Sequence, residues 1–293
     1  MRNTLGVLLL VMVTAGPAGA AFEDIEISPR NRALGMANVA MELDAWAVYH
    51  NPAALAWAAE PRAAAAYVKP FGYGFSSQSA VAANLSIGKF GGLGAAFRHF
   101  GVDHEGENLT QETTVSLSHG LKLLEDIQST VAVGWALNLY SLDYGTSVGG
   151  VDPGSATGVG LDIGAQAVIQ ERTRVGFQAL NVNNPRIGDF DKEELIRRVV
   201  AGVSYAPYRG VTTLLDISFT QGEQAQYRGG TEFEIAEYFL LRGGIRTAPT
   251  ILTFGAGFRW RGLNLDYGFS SGGGVLAATH QFGIEYVFPE KRD

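Results

Sequence analysis

From Arg62 almost to the C-terminus, apolar residues recur at every second position, the repeat of strands with one apolar face. Two runs are the clearest. Val131, Val133, Trp135, Leu137 and Leu139 alternate with Ala132, Gly134, Ala136 and Asn138, and Leu263, Leu265, Tyr267 and Phe269 alternate with Asn264, Asp266 and Gly268. Turn-forming residues divide this region into about fourteen strands, at 62–69, 78–88, 91–101, 110–121, 127–142, 157–170, 173–181, 197–206, 210–219, 225–235, 239–247, 251–261, 263–270 and 277–288. The connections alternate in length. Longer segments such as 70–78, 101–110, 143–156 and 182–195 are followed by tight turns such as Glu171-Arg172 and Arg261-Gly262, with 247–250 a short link on the long side.

A soluble sandwich has no reason to keep that alternation, and a second sheet would have to cover its apolar face. The expected fold is all-β: a closed, transmembrane, antiparallel barrel of about fourteen strands in a bacterial outer membrane, with short periplasmic turns and longer outer loops.

Upstream, the stretch from Arg32 to Leu55 has a different pattern. Leu34, Val39, Leu43, Trp46 and Val48 recur at roughly helical spacing until Asn51-Pro52, where proline removes a backbone donor. This stretch is expected to sit inside the barrel as a helical plug. The domain reading is therefore a signal peptide at 1–20, a periplasmic lead-in and plug at 21–61, and the barrel at 62–293. Arg2, the apolar run Leu5–Val13 and the Ala18-Gly19-Ala20 site are the marks of the signal.

Composition narrows the chemistry. The sequence has no cysteine, which removes disulfides, thiolate-bound metals and lipid attachment through a cysteine. Its net charge of −7, without a basic cluster, argues against nucleic acid. His50, His99, His104, His119 and His280 share no metal-ligand spacing, and no G-x-S-x-G elbow occurs. No enzyme activity, catalytic residue, metal or cofactor is expected.

The inward positions of the C-terminal half carry charges of both signs, among them Arg228, Glu232, Glu234, Arg242, Arg246, Arg259, Asp266 and Glu285. Two roles are open to them. They line a polar passage, or they pair across the wall and onto the plug, for which the planar arginine fork is suited.

The order A-L-G-M (Ala33–Met36), L-D-A (Leu43–Ala45) and V-Y-H-N-P-A-A-L (Val48–Leu55) resembles the N-terminal signature of the FadL/PorV superfamily, fourteen-stranded outer-membrane barrels with an N-terminal hatch. The resemblance implies that Asn51, Pro52 and Ala53, together with Gly35 and Asp44, form a plug or gate motif. It implies a FadL-like passage for hydrophobic small molecules. A PorV/PorQ-like component of a type IX-like secretion system, binding cargo or translocon, and a structural barrel with a sealed lumen are the alternatives. The implied partners are outer-membrane lipid and either a hydrophobic small molecule or secretion-system subunits.

Overall fold

A computed structural model describes residue 22 and residues 25–145, 154–188, 193–273 and 276–289. The expected signal segment lies outside the described residues. Fourteen strands close one antiparallel barrel. They are β1 (Arg62–Val68), β2 (Ser76–Ser86), β3 (Gly92–His104), β4 (Glu107–Glu125), β5 (Ser129–Asp143), β6 (Ser155–Ile169) and β7 (Thr173–Leu180), then β10 (Arg198–Tyr208), β11 (Val211–Thr220), β12 (Gln226–Ala236), β13 (Phe239–Arg246), β14 (Ile251–Trp260), β15 (Leu263–Ser270) and β16 (Thr279–Val287). A separate hairpin of β8 (Arg186–Ile187) and β9 (Glu193–Glu194) lies in the connection between β7 and β10. Closure is by β1 against β16, with Arg62 opposite Val287, so the first strand begins where the last one ends.

The alternation sets the facing of the strands. Trp135, Leu137 and Leu139 are exposed outward, whereas Ala132, Ala136 and Asn138 between them are buried. Val81, Leu117, Val159, Phe254 and Leu265 likewise face out, giving an apolar outer face around a closed wall. In water that face would be costly, but in a bilayer it is the expected one, because a closed barrel leaves no unpaired strand edge. The protein is a membrane-spanning barrel of the outer-membrane type.

The connection expected at 101–110 is instead a tight hairpin. β3 continues to His104, β4 starts at Glu107, and Glu105 and Gly106 both take positive φ (52° and 87°), the geometry of a two-residue hairpin turn.

The plug lies inside the barrel but is not one helix. It has α1 (Pro29–Ala33), α2 (Ala47–His50) and a 3₁₀ turn at Pro52–Trp57. Gly35 and Met36 at positive φ (67° and 64°) end the first piece, so apolar spacing alone overstated the continuity. Two of the pieces start with the same device. Ser28 caps α1 and Asn51 caps the 3₁₀ turn, each followed by proline at the first helical position.

The lead-in departs from expectation as well. Residues 22 and 25–31 lie within the barrel rather than in the periplasm. The Phe22 ring meets Tyr140 edge-on at 4.9 Å and shares a buried cluster with Leu142, Ile187 and Leu195 near the ends of the long connections. Ile27 is buried too, and Glu26 and Ser28 find partners inside, so a segment that reads as polar is held in the lumen.

Candidate functional site

The wall receives the plug along a row of glycines. Gly92, Gly120, Gly134 and Gly164 stand directly opposite one another across β3, β4, β5 and β6. A Cβ on Gly92 would strike the Leu55 carbonyl, on Gly120 the Pro52 carbonyl, on Gly134 the Ala53 amide and on Gly164 the Asn51 side chain. Bare backbone is what lets the 3₁₀ turn lie flat against the wall. On the opposite side, Gly230 and Gly244 face Leu34 and Gly35 in the same manner. Gly35 itself adopts φ +67° with Gly229 and Ile245 backbone against it, and its N–H donates to Thr253 Oγ1 at 2.9 Å.

Each residue of the sequence motif has a defined place. Asn51 is 1% exposed. Its Nδ2 donates to Val39 O at 2.7 Å and lies 3.2 Å from Ala165 O and 3.3 Å from Phe177 O, while its Oδ1 accepts from Ala53 N at 3.1 Å. One amide thus ties two plug segments to β6 and β7. Pro52 and Ala53 are buried against the glycine row. Asp44 accepts from Trp46 N at 2.9 Å, its carbonyl accepts from Asn84 Nδ2 at 2.8 Å, and its carboxylate lies 4.0 Å from Arg30.

The inward charges form a network across the plug–wall boundary. Arg30 of α1 grips Glu232 with Nε and Nη2 at 3.0 and 2.8 Å. Arg242 bridges Glu232 and Asp266 at 2.6 Å each, and Arg259 approaches Glu232 at 3.7 Å. Glu285 accepts from Ala45 N at 2.8 Å and from Asn264 at 2.9 Å. Arg228 and Arg246 donate to Met36 O and Met36 Sδ at 3.5 and 3.2 Å. Glu234 stands apart from the network, exposed at the inner end of β12.

Uncharged wall residues that the sequence reading did not single out do comparable work. Gln166 donates to Val39 O and Met41 O, Gln178 to Tyr49 O, and Gln281 to Ile27 O. Their only signal is an amide side chain at an inward position. A second missed pairing lies inside the plug: His50 Nε2 is 3.0 Å from Glu26 Oε1, and the Asn31 amide is 2.7 Å from His50 Nδ1.

Among the described residues, two of the cavities lie on the outer side of the plug. The larger, about 610 Å³, is bounded by Arg32, Met36, Phe71, Arg246, Pro249 and Ser271, among others, and forms a vestibule at the long-connection end. The smaller, about 100 Å³, lies deeper among Tyr49, His50, Arg98, Asn138, Tyr140 and Asp162. Ile25 and Glu26 border both, so the lead-in is the partition between them.

No protein-family profile matches this sequence, and no curated protein matches it. Solved structures do. The toluene transporter TbuX of Ralstonia pickettii is 14% identical and matches over 89% of this chain and 98% of that one, with a TM-score of 0.61. A FadL homologue of Pseudomonas aeruginosa is 10% identical over 90% and 98%, with a TM-score of 0.58. The toluene transporter TodX of Pseudomonas putida is 12% identical over 88% and 95%, with a TM-score of 0.56. At such identities the likeness is one of fold: this chain shares the barrel of FadL-type outer-membrane channels.

Proposed function

We propose that the protein passes small hydrophobic molecules across the outer membrane. The observation that carries this reading is the joint presence of a fourteen-strand wall like that of the toluene transporters and a lumen closed by the chain's own N-terminal segment. A solute enters the vestibule, where Met36, Phe71, Pro249 and Ile251 offer apolar surface, and the partition and plug shift to let it through. The plug meets the wall through polar contacts, bare glycine backbone and apolar packing, such as Trp46 and Val48 against Ala64, Ala80 and Ala96.

Uptake of labelled toluene by cells with an intact outer membrane tests this. Cells producing the protein should accumulate toluene faster than cells carrying the empty vector, with uptake of a sugar of similar size unchanged. Equal toluene rates would remove the proposal.

The filled lumen also supports a second reading, a PorV/PorQ-like secretion component whose partner docks on the barrel without entering it. Recovery of a stoichiometric secretion subunit with the detergent-solubilised protein, together with equal toluene rates, would favour that role.

A further inference from the structure

Most polar groups around the smaller cavity are already engaged within the protein. His50 pairs with Glu26 at 3.0 Å, and Asp162 accepts from Asn138 Nδ2 at 2.7 Å and from Asn181 N at 2.8 Å. The Tyr140 hydroxyl donates to Asn181 Oδ1 at 3.0 Å, and Gln178 Nε2 donates to Tyr49 O at 2.9 Å. Two groups that line the cavity on the β3–β4 side differ. Arg98 of β3 gives one hydrogen bond, from Nη2 to Thr114 Oγ1 at 3.3 Å, and among the described residues it forms no ion pair. The Tyr49 hydroxyl of α2 is shut off from solvent without a hydrogen-bond partner; Ser116 stands near it but gives its own hydroxyl hydrogen to Asn138 Oδ1. Arg98 is close enough for its charge to reach Tyr49, so the unused guanidinium and the unused hydroxyl belong to one spot.

We propose that this cavity is a binding site for one compact, monovalent oxyanion of formate size, held between Arg98 of the wall and the Tyr49 hydroxyl of the plug. The planar guanidinium matches the two oxygens of a carboxylate, and the hydroxyl supplies a further donor. A buried hydroxyl left without a partner is costly, and the ion satisfies it. Bound there, the ion bridges β3 and α2 and adds a wall-to-plug contact. The site does not depend on which solute the barrel carries, so it stands or falls separately from the transport reading.

Charge and size select the ligand. Arg98, Arg198 and Arg228 line the cavity together with two carboxylates, Glu26 and Asp162. Glu26 is taken by His50, and Asp162 is held by amides. Glu223 lies near Arg198 and Asp216 near Arg228, which leaves Arg98 as the guanidinium without a counter-charge of its own. One negative charge therefore fits, and a cation does not. An apolar cavity of about 150 Å³ takes a single benzene ring. At about 100 Å³ and with a polar lining, this one has room for a small ion and its water but not for an ion that carries a ring or a chain.

Thermal unfolding of the full protein in detergent tests the site, with sodium formate exchanged for the sodium salt of a bulky sulfonate at constant ionic strength. The wild-type midpoint should climb with formate, as expected for a ligand of the folded state. Arg98→Gln should abolish the climb. Tyr49→Phe should need roughly two- to tenfold more formate for the same shift, the worth of one hydrogen bond. In formate-free buffer Tyr49→Phe should unfold no earlier than wild type, since its hydroxyl has no partner within the protein. Hexanoate, the same carboxylate on a chain, should leave the midpoint unchanged. Heat-modifiable gel migration establishes that each variant is folded, and if Arg98→Gln does not fold, Tyr49→Phe decides. A flat wild-type response would mean that the cavity holds water only, and an undiminished response in Arg98→Gln or Tyr49→Phe would place the ion elsewhere. A shift with hexanoate equal to that with formate would assign the carboxylate to a larger solute. Each of these results would overturn the proposal.

Discussion

Glu232 on β12 takes both hydrogen bonds of the Arg30 fork from the plug while also accepting from Arg242 on β13 at 2.6 Å. One carboxylate therefore serves both the plug and the wall. With the carboxylate removed, Arg30, Arg242 and Arg259 lose their common partner, and Arg242 keeps only Asp266. With Arg30 removed, the carboxylate keeps two arginines. Glu232→Gln should then cost about 3–5 kcal/mol, the range for breaking a buried ion pair. Arg30→Met should cost about 1–3 kcal/mol, nearer to lost hydrogen bonds. Equilibrium unfolding in detergent checks the order, and a larger cost for Arg30→Met would contradict the network as described.

The glycine row makes a separate prediction. Gly134→Val places side-chain atoms where the Pro52–Ala53 backbone lies and should unseat the 3₁₀ turn, raising bilayer conductance while the barrel still migrates as folded. Gly74→Ala, where nothing stands within 4 Å, should behave as wild type. Equal behaviour of the two variants would show that the plug does not depend on that row.

Asn51 tests whether the motif is hinge or anchor. Asn51→Ala removes the amide contacts to Val39, Ala165 and Phe177, leaving Gln166 as the side-chain donor to Val39 O, at about 1–3 kcal/mol. If Asn51→Ala combined with Pro52→Ala lowers stability and toluene uptake in proportion, the motif is an anchor. Uptake lost at undiminished stability would make it the gate.

Phe254 is 56% exposed on the outer face of β14. Phe254→Arg should destabilise the barrel in lipid by about 2–4 kcal/mol if that position lies at the bilayer midplane. Unchanged stability in a vesicle refolding assay would contradict the lipid-facing assignment.

The wall was legible in the sequence because a two-residue period leaves no freedom about which side faces out. Val133 and Ala132 could not exchange faces without moving a whole strand's apolar set to the lumen. Element ends were less legible: local turn chemistry at Glu105-Gly106 turned an expected loop into a hairpin. The plug was legible as a segment but not as a shape. Gly35 and Met36 break it at positive φ, and its contacts come from residues far apart in the chain, such as Asn51 with Phe177 and Arg30 with Glu232. Nothing in the sequence pairs Glu26 with His50, since the plug has no regular period to bring the two together. The charges on β12 to β16 were readable as inward, whereas the choice between lining a passage and holding the plug needed their partners.

The central claim, a barrel closed by its own N-terminal segment, is tested most directly by single-channel conductance at neutral pH. Full-length protein should be nearly silent in planar bilayers. Protein lacking residues 25–57, shown to be folded by heat-modifiable migration, should give a large and steady conductance. A full-length protein that conducts as freely as the deletion would contradict the account.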